Sequence, residues 1–405
     1  MSSNSGDDLI YEKCFVCKKP QTGDNWCRNC NSKHFKKKFC EWTSGNKVID
    51  EFIQQIQLKA INNNQVLEWI PFEDITDIKN LAVGGYGIVY KAVWTRSPIE
   101  YYDNDAQEWH RLRSEKTDIV LKSISNSNNI NIPDEFFEEI KAQMTSFVDF
   151  GYTIRCFGVT KCPTSNYMMI MEYKKDGGLH EYLDKNFRLL TWEQKLDILY
   201  TAIKGLSKIH KAKLIHKDFH AGNIIIDNNI SYIADFGLCK RVNSEDKSKN
   251  GGSEGIYGVL PYVDPEVLRT KTYTQAADIY SFGVVMNQVA VGYRPFHETK
   301  HDTGLVHQIV NQERRPSRNE DITPQFITDL IKSCWEDNPD DRPKAIELVV
   351  KLSSYRNKGH EIWTQIKVIE EKMDLNIPPE KAGLNYEKSL EPSFYTSKLI
   401  NELCK

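Results

Sequence analysis

No stretch of the 405-residue chain holds more than a handful of consecutive apolar residues, SFGVVM being typical. A membrane-spanning helix, which needs about 20, is therefore not expected. A surplus of either charge is missing too: 53 basic residues against 56 acidic ones leave −3, which favours neither nucleic acid nor an anionic membrane. The opening residues MSSNSGDD are polar and acidic, where a secretory signal is basic and then apolar. Of the ten cysteines four fall in the first thirty residues and the rest are scattered, the pattern of a reducing compartment with one metal site. We expect a cytoplasmic protein, with the nucleus as the alternative. There is no GxxxxGK[ST], hence no Walker A loop, and the one glycine-rich turn precedes a strand rather than a helix, which excludes a dinucleotide fingerprint. What remains, 40% hydrophobic and 27% charged residues, is the composition of an ordinary globular protein with room for two or three domains.

Texture divides the chain. Residues 1–45 are rich in Cys, Lys and Asn with few aliphatics, and are expected to need a cross-link or metal to hold a core. Residues 46–71 place Val48, Ile49, Phe52, Ile53, Ile56 and Leu58 at near-helical spacing, so a helical connector is expected. From 72 to 173 short β-type runs dominate (ITDIKNLAVGGYGIVYKAVW, DIVLKSI, TIRCFGVT, YMMIMEY), with one helix in PDEFFEEIKAQMTSFVDF. Residues 95–118, polar between two strands, read as an extended loop. From 174 to 357 helical patterns take over, and residues 358–405 are polar with Pro378, Pro379 and Pro392, so little packed structure is expected there. A mostly β part followed by a mostly α part predicts two lobes.

Several residues then point to phosphate chemistry. In LAVGGYGIVY, Gly84 and Gly87 let a backbone approach phosphates closely, although a glycine hairpin turn is the commoner meaning of such a stretch. Lys122 sits in an apolar strand, where a lysine is costly unless paired. Glu139, seventeen residues on, is its expected partner, with Glu138 as the alternative. Asp218 in HKDFHAGN has the position to accept a proton from an attacking hydroxyl, and Asn223 with Asp235 of ADFG to hold a divalent ion.

In this order the motifs resemble the eukaryotic protein kinase family, from Leu81 to near Tyr355: glycine-rich loop, Lys122, Glu139, HKD, Asn223, the Asp235-Phe236-Gly237 triplet and PYVDPE. The resemblance implies an α+β, bilobal fold, with an N-lobe (72–173) of antiparallel sheet plus one helix and a mainly helical C-lobe (174–357). It also implies ATP and Mg²⁺ (or Mn²⁺) as cofactors and a protein hydroxyl as acceptor in intracellular signalling. ATP would meet Leu81, Ala82, Val83, Gly84, Gly85, Tyr86, Gly87, Val89, Val120, Lys122, Glu139 and Ile225. The adenine would lie against Met171, Glu172, Tyr173 and Lys174, with Asp176 near the ribose. Asp278 and Arg342 fill structural positions, and Arg342 is expected to pair with Glu266. The spelling CWEDNPDDRP with PYVDPEVL and DIYSFGVVM looks most like the tyrosine-kinase-like group, which mostly modifies serine and threonine.

The sequence departs from the family at five places. Ala82 replaces the first loop glycine, Asp264 replaces the alanine of APE at a position expected to be exposed, and Lys217 replaces the arginine of HRD, losing its bidentate fork. A phosphate on Ser248, Ser253 or Tyr257 could still attract Lys217. His220 stands where serine/threonine kinases carry a lysine, and Val259 where they carry the threonine that bonds it. An imidazole between a carboxylate and a phosphate has its charged form favoured, so His220 is expected to replace the lysine in part. Activity should then fall as pH rises through the histidine range, and His220→Lys should flatten the profile. These departures keep a non-transferring scaffold, and a tyrosine or dual-specificity kinase, open as alternatives.

Cys14, Cys17, Cys27 and Cys30 form two CxxC pairs nine residues apart, a four-thiolate set for structural Zn²⁺, with Cys40 and His34 as spare ligands. The module could dock a partner protein. The run KHFKKK after it is more often a solvated face than a nucleic-acid site.

Overall fold

Alternating β-branched and aromatic residues build a six-stranded sheet in the order Glu68–Trp69, Cys156–Lys161, Tyr167–Glu172, Thr117–Ser123, Gly87–Trp94, Ile75–Gly84. The computed structural model describes residues 11–84, 87–112, 116–123, 132–146, 151–163, 167–242, 255–359, 361–376 and 395–400. These fall into two compact units, Met1–Phe137 with Arg155–Tyr173 and Glu138–Ile154 with Lys174–Lys405.

The first unit holds α1 (Arg28–Lys38), α2 (Lys47–Lys59), β1 (Glu68–Trp69), β2 (Ile75–Gly84), β3 (Gly87–Trp94), β4 (Ile99–Asp103), β5 (Glu108–Arg111) and β6 (Thr117–Ser123). Helix α3 (Asp134–Ser146) runs through the division after Phe137, and β7 (Cys156–Lys161) and β8 (Tyr167–Glu172) complete the sheet. All its pairings are antiparallel except β1 with β7. On β6 the two-residue period turns Ile119 and Leu121 into a core with Trp94, Phe157 and Ile170. Val120 and Lys122 therefore share the opposite face.

Residues 95–118 are not an extended loop. β4 and β5 pair as a hairpin, Tyr102 opposite Trp109, and its aromatic residues cover α1. Trp109 stacks on Phe35 at 4.2 Å and lies 5.8 Å from Trp26, while Tyr102 stacks on His34 at 3.6 Å. Arg111 forks onto Glu68 of β1 at 2.5 and 3.2 Å. The cysteine-rich segment thus shares a core with the hairpin, and the fully buried Trp26 donates its indole N–H to the Ala60 carbonyl at 3.1 Å.

The second unit is mainly helical: α4 (Leu179–Asn186), α5 (Trp192–Lys211), α6 (Pro265–Thr270), α7 (Gln275–Val291), α8 (Thr303–Asn311), α9 (Gln325–Cys334) and α10 (Ala345–Tyr355). α5 starts in a capping box between Thr191 and Gln194, and α7 is buried on nearly every side, the mark of a central helix. Between these helices lie β9 (Leu214–Ile215), β10 (Ile224–Asp227), β11 (Ile230–Ile233), β12 (Lys240–Arg241) and β13 (Tyr257–Gly258).

Residues 361–376 and 395–400 depart from the expectation of little packed structure. α11 (Ile362–Asn376) buries Ile362 and Ile366 in the helical core, and Glu370 accepts from the Trp192 N–H at the start of α5, at 2.8 Å. Farther on, β14 (Lys398–Leu399) pairs antiparallel with β13. Prolines suppressed the helical pattern in the sequence, yet apolar Ile362, Ile366, Tyr395 and Ile400 are each at most 4% exposed. Among the described residues no helix is long and apolar enough to cross a membrane.

Candidate active site

The loop between β9 and β10 is held by one carboxylate. Asp278, 2% exposed on α7, accepts the backbone N–H groups of His216 (2.9 Å) and Lys217 (3.0 Å) and meets His210 Nε2 at 2.8 Å. This fixes the chain immediately before Asp218, so the next side chain has little freedom. Lys217 takes the left-handed φ of +69° with its ammonium 4.5 Å over the Tyr273 ring.

Asp218 is 5% exposed. Asn223 ties to it through its amide nitrogen, donating to the Asp218 carbonyl at 2.9 Å and to Oδ2 at 3.2 Å. That leaves the carbonyl end of Asn223 without a hydrogen-bond donor among the described residues, the oxygen a hard cation would use. Asp218 Oδ1 likewise has no hydrogen-bond partner among the described residues, while Oδ2 accepts the hydroxyl of Ser397 at 2.5 Å. Burial alone would raise the Asp218 carboxyl; neighbouring His220, helped by the Ser397 hydroxyl and His216, outweighs it and holds the group below the usual carboxylate range.

His220 completes the cluster. The Gly222 N–H donates to Nδ1 at 3.0 Å, so the ring proton sits on Nε2, which lies 3.2 Å from Ser397 Oγ and 3.6 Å from Asp218 Oδ2. A ring protonated on both nitrogens would have to break the Gly222 contact. Val259 is 1% exposed in the helical core and offers no hydroxyl.

Asp235 adopts φ +59°, and its Oδ1 accepts the Gly237 N–H at 3.3 Å. A Cβ built on Gly237 would stand 3.5 Å from Glu139 Oε2, so the α3 carboxylate lies beside this turn. In the first unit Lys122 is buried on β6 opposite Met169 and Val89, and Val89, Val120, Met171 and Glu172 are half-buried. Leu81 is half exposed, and Gly84 pairs with Gly87 across the hairpin, as a strand, glycine turn and strand require. Gly85 and Tyr86 lie outside the described residues, as do the side chains of Ala82 and Val83. Tyr173 packs under the Lys91 ammonium at 3.9 Å. In the second unit Lys174 lies over Tyr232 at 3.9 Å, Ile225 is half-buried, and Asp176 spends one oxygen on the Asn228 N–H at 2.8 Å.

Arg342 does not pair with Glu266. Its guanidinium forks onto Asp264, with Nη1 on Oδ2 and Nη2 3.2 Å from Oδ1, both side chains at most 2% exposed. Asp264 caps α6, accepting the Glu266 N–H at 2.9 Å, which turns it inward. Glu266 faces outward, 3.7 Å from Arg269. Asp264 is thus buried, contrary to expectation. Ser248 and Ser253 lie outside the described residues, and Tyr257 is 40% exposed on β13.

Cys14, Cys17, Cys27 and Cys30 bring all four sulfurs within 4.8 Å of one another. Two separations, 3.8 Å for Cys14–Cys30 and 3.5 Å for Cys17–Cys27, compare with roughly 3.8 Å between sulfurs placed tetrahedrally about 2.3 Å from zinc. The Lys19 N–H pulls the Cys17 thiol down to about 6, while burial pushes Cys27 and Cys30 up. Cys40 is exposed and His34 is stacked on Tyr102, so neither joins the cluster.

Ser397, Tyr395 and Ile400 were missed from the sequence. A signal existed in FYTSKLI, a short β-type run after Pro392, but its partner strand has only two residues.

Residues 75–352 match the family model of the protein tyrosine and serine/threonine kinases, and the chain belongs to that family. Among its relatives, an Acanthamoeba polyphaga mimivirus protein provisionally named serine/threonine-protein kinase/receptor R831 is 28% identical over 71% of this chain and 17% of its own length. The tyrosine-protein kinase SYK of Gallus gallus is 27% identical over 61% of this chain and 39% of its own. A protein kinase and PP2C-like domain-containing protein of Arabidopsis thaliana is 26% identical over 74% and 45%. The chain spans less than half the length of each of these relatives.

Proposed function

We propose that the chain is an ATP- and Mg²⁺-dependent protein kinase that modifies serine or threonine hydroxyls. The observation that carries this is Asp218, a buried carboxylate fastened by Asn223 and holding an aliphatic hydroxyl at 2.5 Å. A tyrosine hydroxyl stands a full ring farther from its backbone, so a chain lying as close as residue 397 suits serine or threonine. The motif spelling that resembles the tyrosine-kinase-like group supports the same class.

ATP supplies the phosphoryl group and Mg²⁺ the neutralising charge when bound. Lys122 is assigned to the phosphates, and so is the backbone of the glycine turn. Asn223 through its carbonyl oxygen and Asp235 through its carboxylate are assigned to the metal. Asp218 orients the acceptor hydroxyl and takes its proton, and His220 donates from Nε2 to the same oxygen. Incubating the purified chain with ATP, Mg²⁺ and casein, beside Asp218→Asn, tests this: transfer by the parent chain alone is expected, and equal absence from both would leave a scaffold as the better reading.

We also propose that the four thiols hold one structural Zn²⁺ that fixes α1 against the β4–β5 hairpin and presents a face to a partner protein. One zinc per chain is expected by elemental analysis, and Cys14→Ser with Cys30→Ser should lose it, since two of four ligands go. Full zinc retention in that double variant would count against the assignment.

A further inference from the structure

Six residues near the C-terminus lie along the candidate active site within the second unit. Gly258 pairs with Lys398 and Tyr257 with Leu399, and the Ile400 N–H donates to the Ile256 carbonyl at 2.7 Å. The pairing is backbone to backbone, so it does not depend on the side chains of 398 and 399, both of which leave the strand outward.

Two side chains anchor the segment on either side of Ser397. Ile400 is fully buried in an apolar cluster with Ile256, Leu260, Val263 and Leu305. Tyr395, 4% exposed, donates its hydroxyl to the Pro295 carbonyl at 3.1 Å. Its ring lies beneath the Arg294 guanidinium at 5.2 Å and edge-on to His301 at 4.8 Å. Between the anchors, Ser397 Oγ donates to Asp218 Oδ2 and lies 3.2 Å from His220 Nε2. A surface tail with no role would not bury an aromatic and an aliphatic side chain and direct the hydroxyl between them onto a buried carboxylate.

We propose that residues 395–400 occupy the acceptor-peptide groove of this kinase and that Ser397 is phosphorylated within its own chain. This rests on the kinase reading above. Ser397 Oγ forms a bond to the γ-phosphorus of ATP, the bond from that phosphorus to the β–γ bridging oxygen breaks, ADP leaves, and the Ser397 proton passes to Asp218 Oδ2. Until then the docked segment competes with any other acceptor. Because it is tethered, its effective concentration is on the order of millimolar, and the reaction is first-order. The segment also states the acceptor preference: an aromatic residue two places before the serine, where it meets Arg294 and His301, and an aliphatic one three places after.

The test uses the full chain with ATP, Mg²⁺ and casein in one tube, with the modified residue located by mass spectrometry. Phosphate on Ser397 is expected, with a rate constant unchanged on tenfold dilution. Ile400→Asp, which undocks the segment, should lower the KM for casein, read from initial rates before Ser397 is modified, by about tenfold if the open groove is about a tenth populated in the parent. Ser397→Ala should lose the phosphate yet keep the high KM, separating modification from occupancy. Casein phosphorylated while Ser397 stays unmodified and Ile400→Asp leaves KM unchanged would overturn this inference and leave the kinase reading standing. A rate that scales with chain concentration would overturn the intramolecular assignment. No transfer to casein or to Ser397, in the parent and in Ile400→Asp alike, would overturn the kinase reading and this one with it.

Discussion

Asp218→Asn is expected to lower kcat for phosphoryl transfer by about 10²–10⁴-fold, the range for removing a positioned general base. Oδ2 now accepts from both the Ser397 hydroxyl and the Asn223 amide. An amide in its place keeps the shape but loses the charge, and one of its two ends can no longer accept. The KM for ATP should change little, because Lys122 and the glycine turn are untouched; a large rise in that KM with kcat preserved would contradict the assignment. The carboxyl is held below its usual range, so in the parent chain it stays ionised throughout neutral pH. The sign follows from that depression: stability due to this group is present above the ordinary carboxylate pKa of about 3.9 and is lost as pH falls through the folded value. The acid limb of a kcat/KM profile due to Asp218 should therefore lie below about pH 4, and steady-state rates between pH 5 and 8 check it.

What could be read in the sequence was local. Lys122 stands out because an ammonium in DIVLKSI breaks the apolar run, and Asp218, Asn223, Asp235 and Asp278 lie in short strings whose order carries the information. The β-type runs before residue 173 and the helical ones after it follow from two-residue and 3.6-residue periods, which need no knowledge of distant partners. Contacts that depend on a choice between distant candidates were not legible. Ser397 meets Asp218 across 179 residues, and nothing in the periodicity of either segment selects the other. The β4–β5 hairpin was hidden for a different reason. Its polar turn residues read as a loop, while its buried face is aromatic and is covered by α1, so neither partner shows an apolar stripe until both are placed. His220 shows a third limit: its residue type suggested a charge, but the Gly222 N–H two residues on decides which nitrogen carries the proton.

Arg342→Ala is expected to destabilise the second unit by about 3–5 kcal/mol, because it leaves the Asp264 carboxylate charged and enclosed without a counterion. Arg342 also donates to the carbonyls of Glu336 at 2.8 Å and Ala276 at 3.1 Å, so the loss includes two further hydrogen bonds. Asp264→Ala should cost about 1 kcal/mol more than the same charge loss alone, since it also removes the cap of α6. Glu266→Ala is the informative control. Glu266 and Arg269 are 39% and 40% exposed and 3.7 Å apart, a pair worth at most about 1 kcal/mol. Denaturant titration of the three variants thus distinguishes two carboxylates only two residues apart. If Glu266→Ala proved as costly as Asp264→Ala, the inward turn of Asp264 at the start of α6 would be wrong. Replacing both Asp264 and Arg342 by leucine and methionine should recover most of the loss, because the cost of either single change lies in the charge left behind rather than in the pair itself.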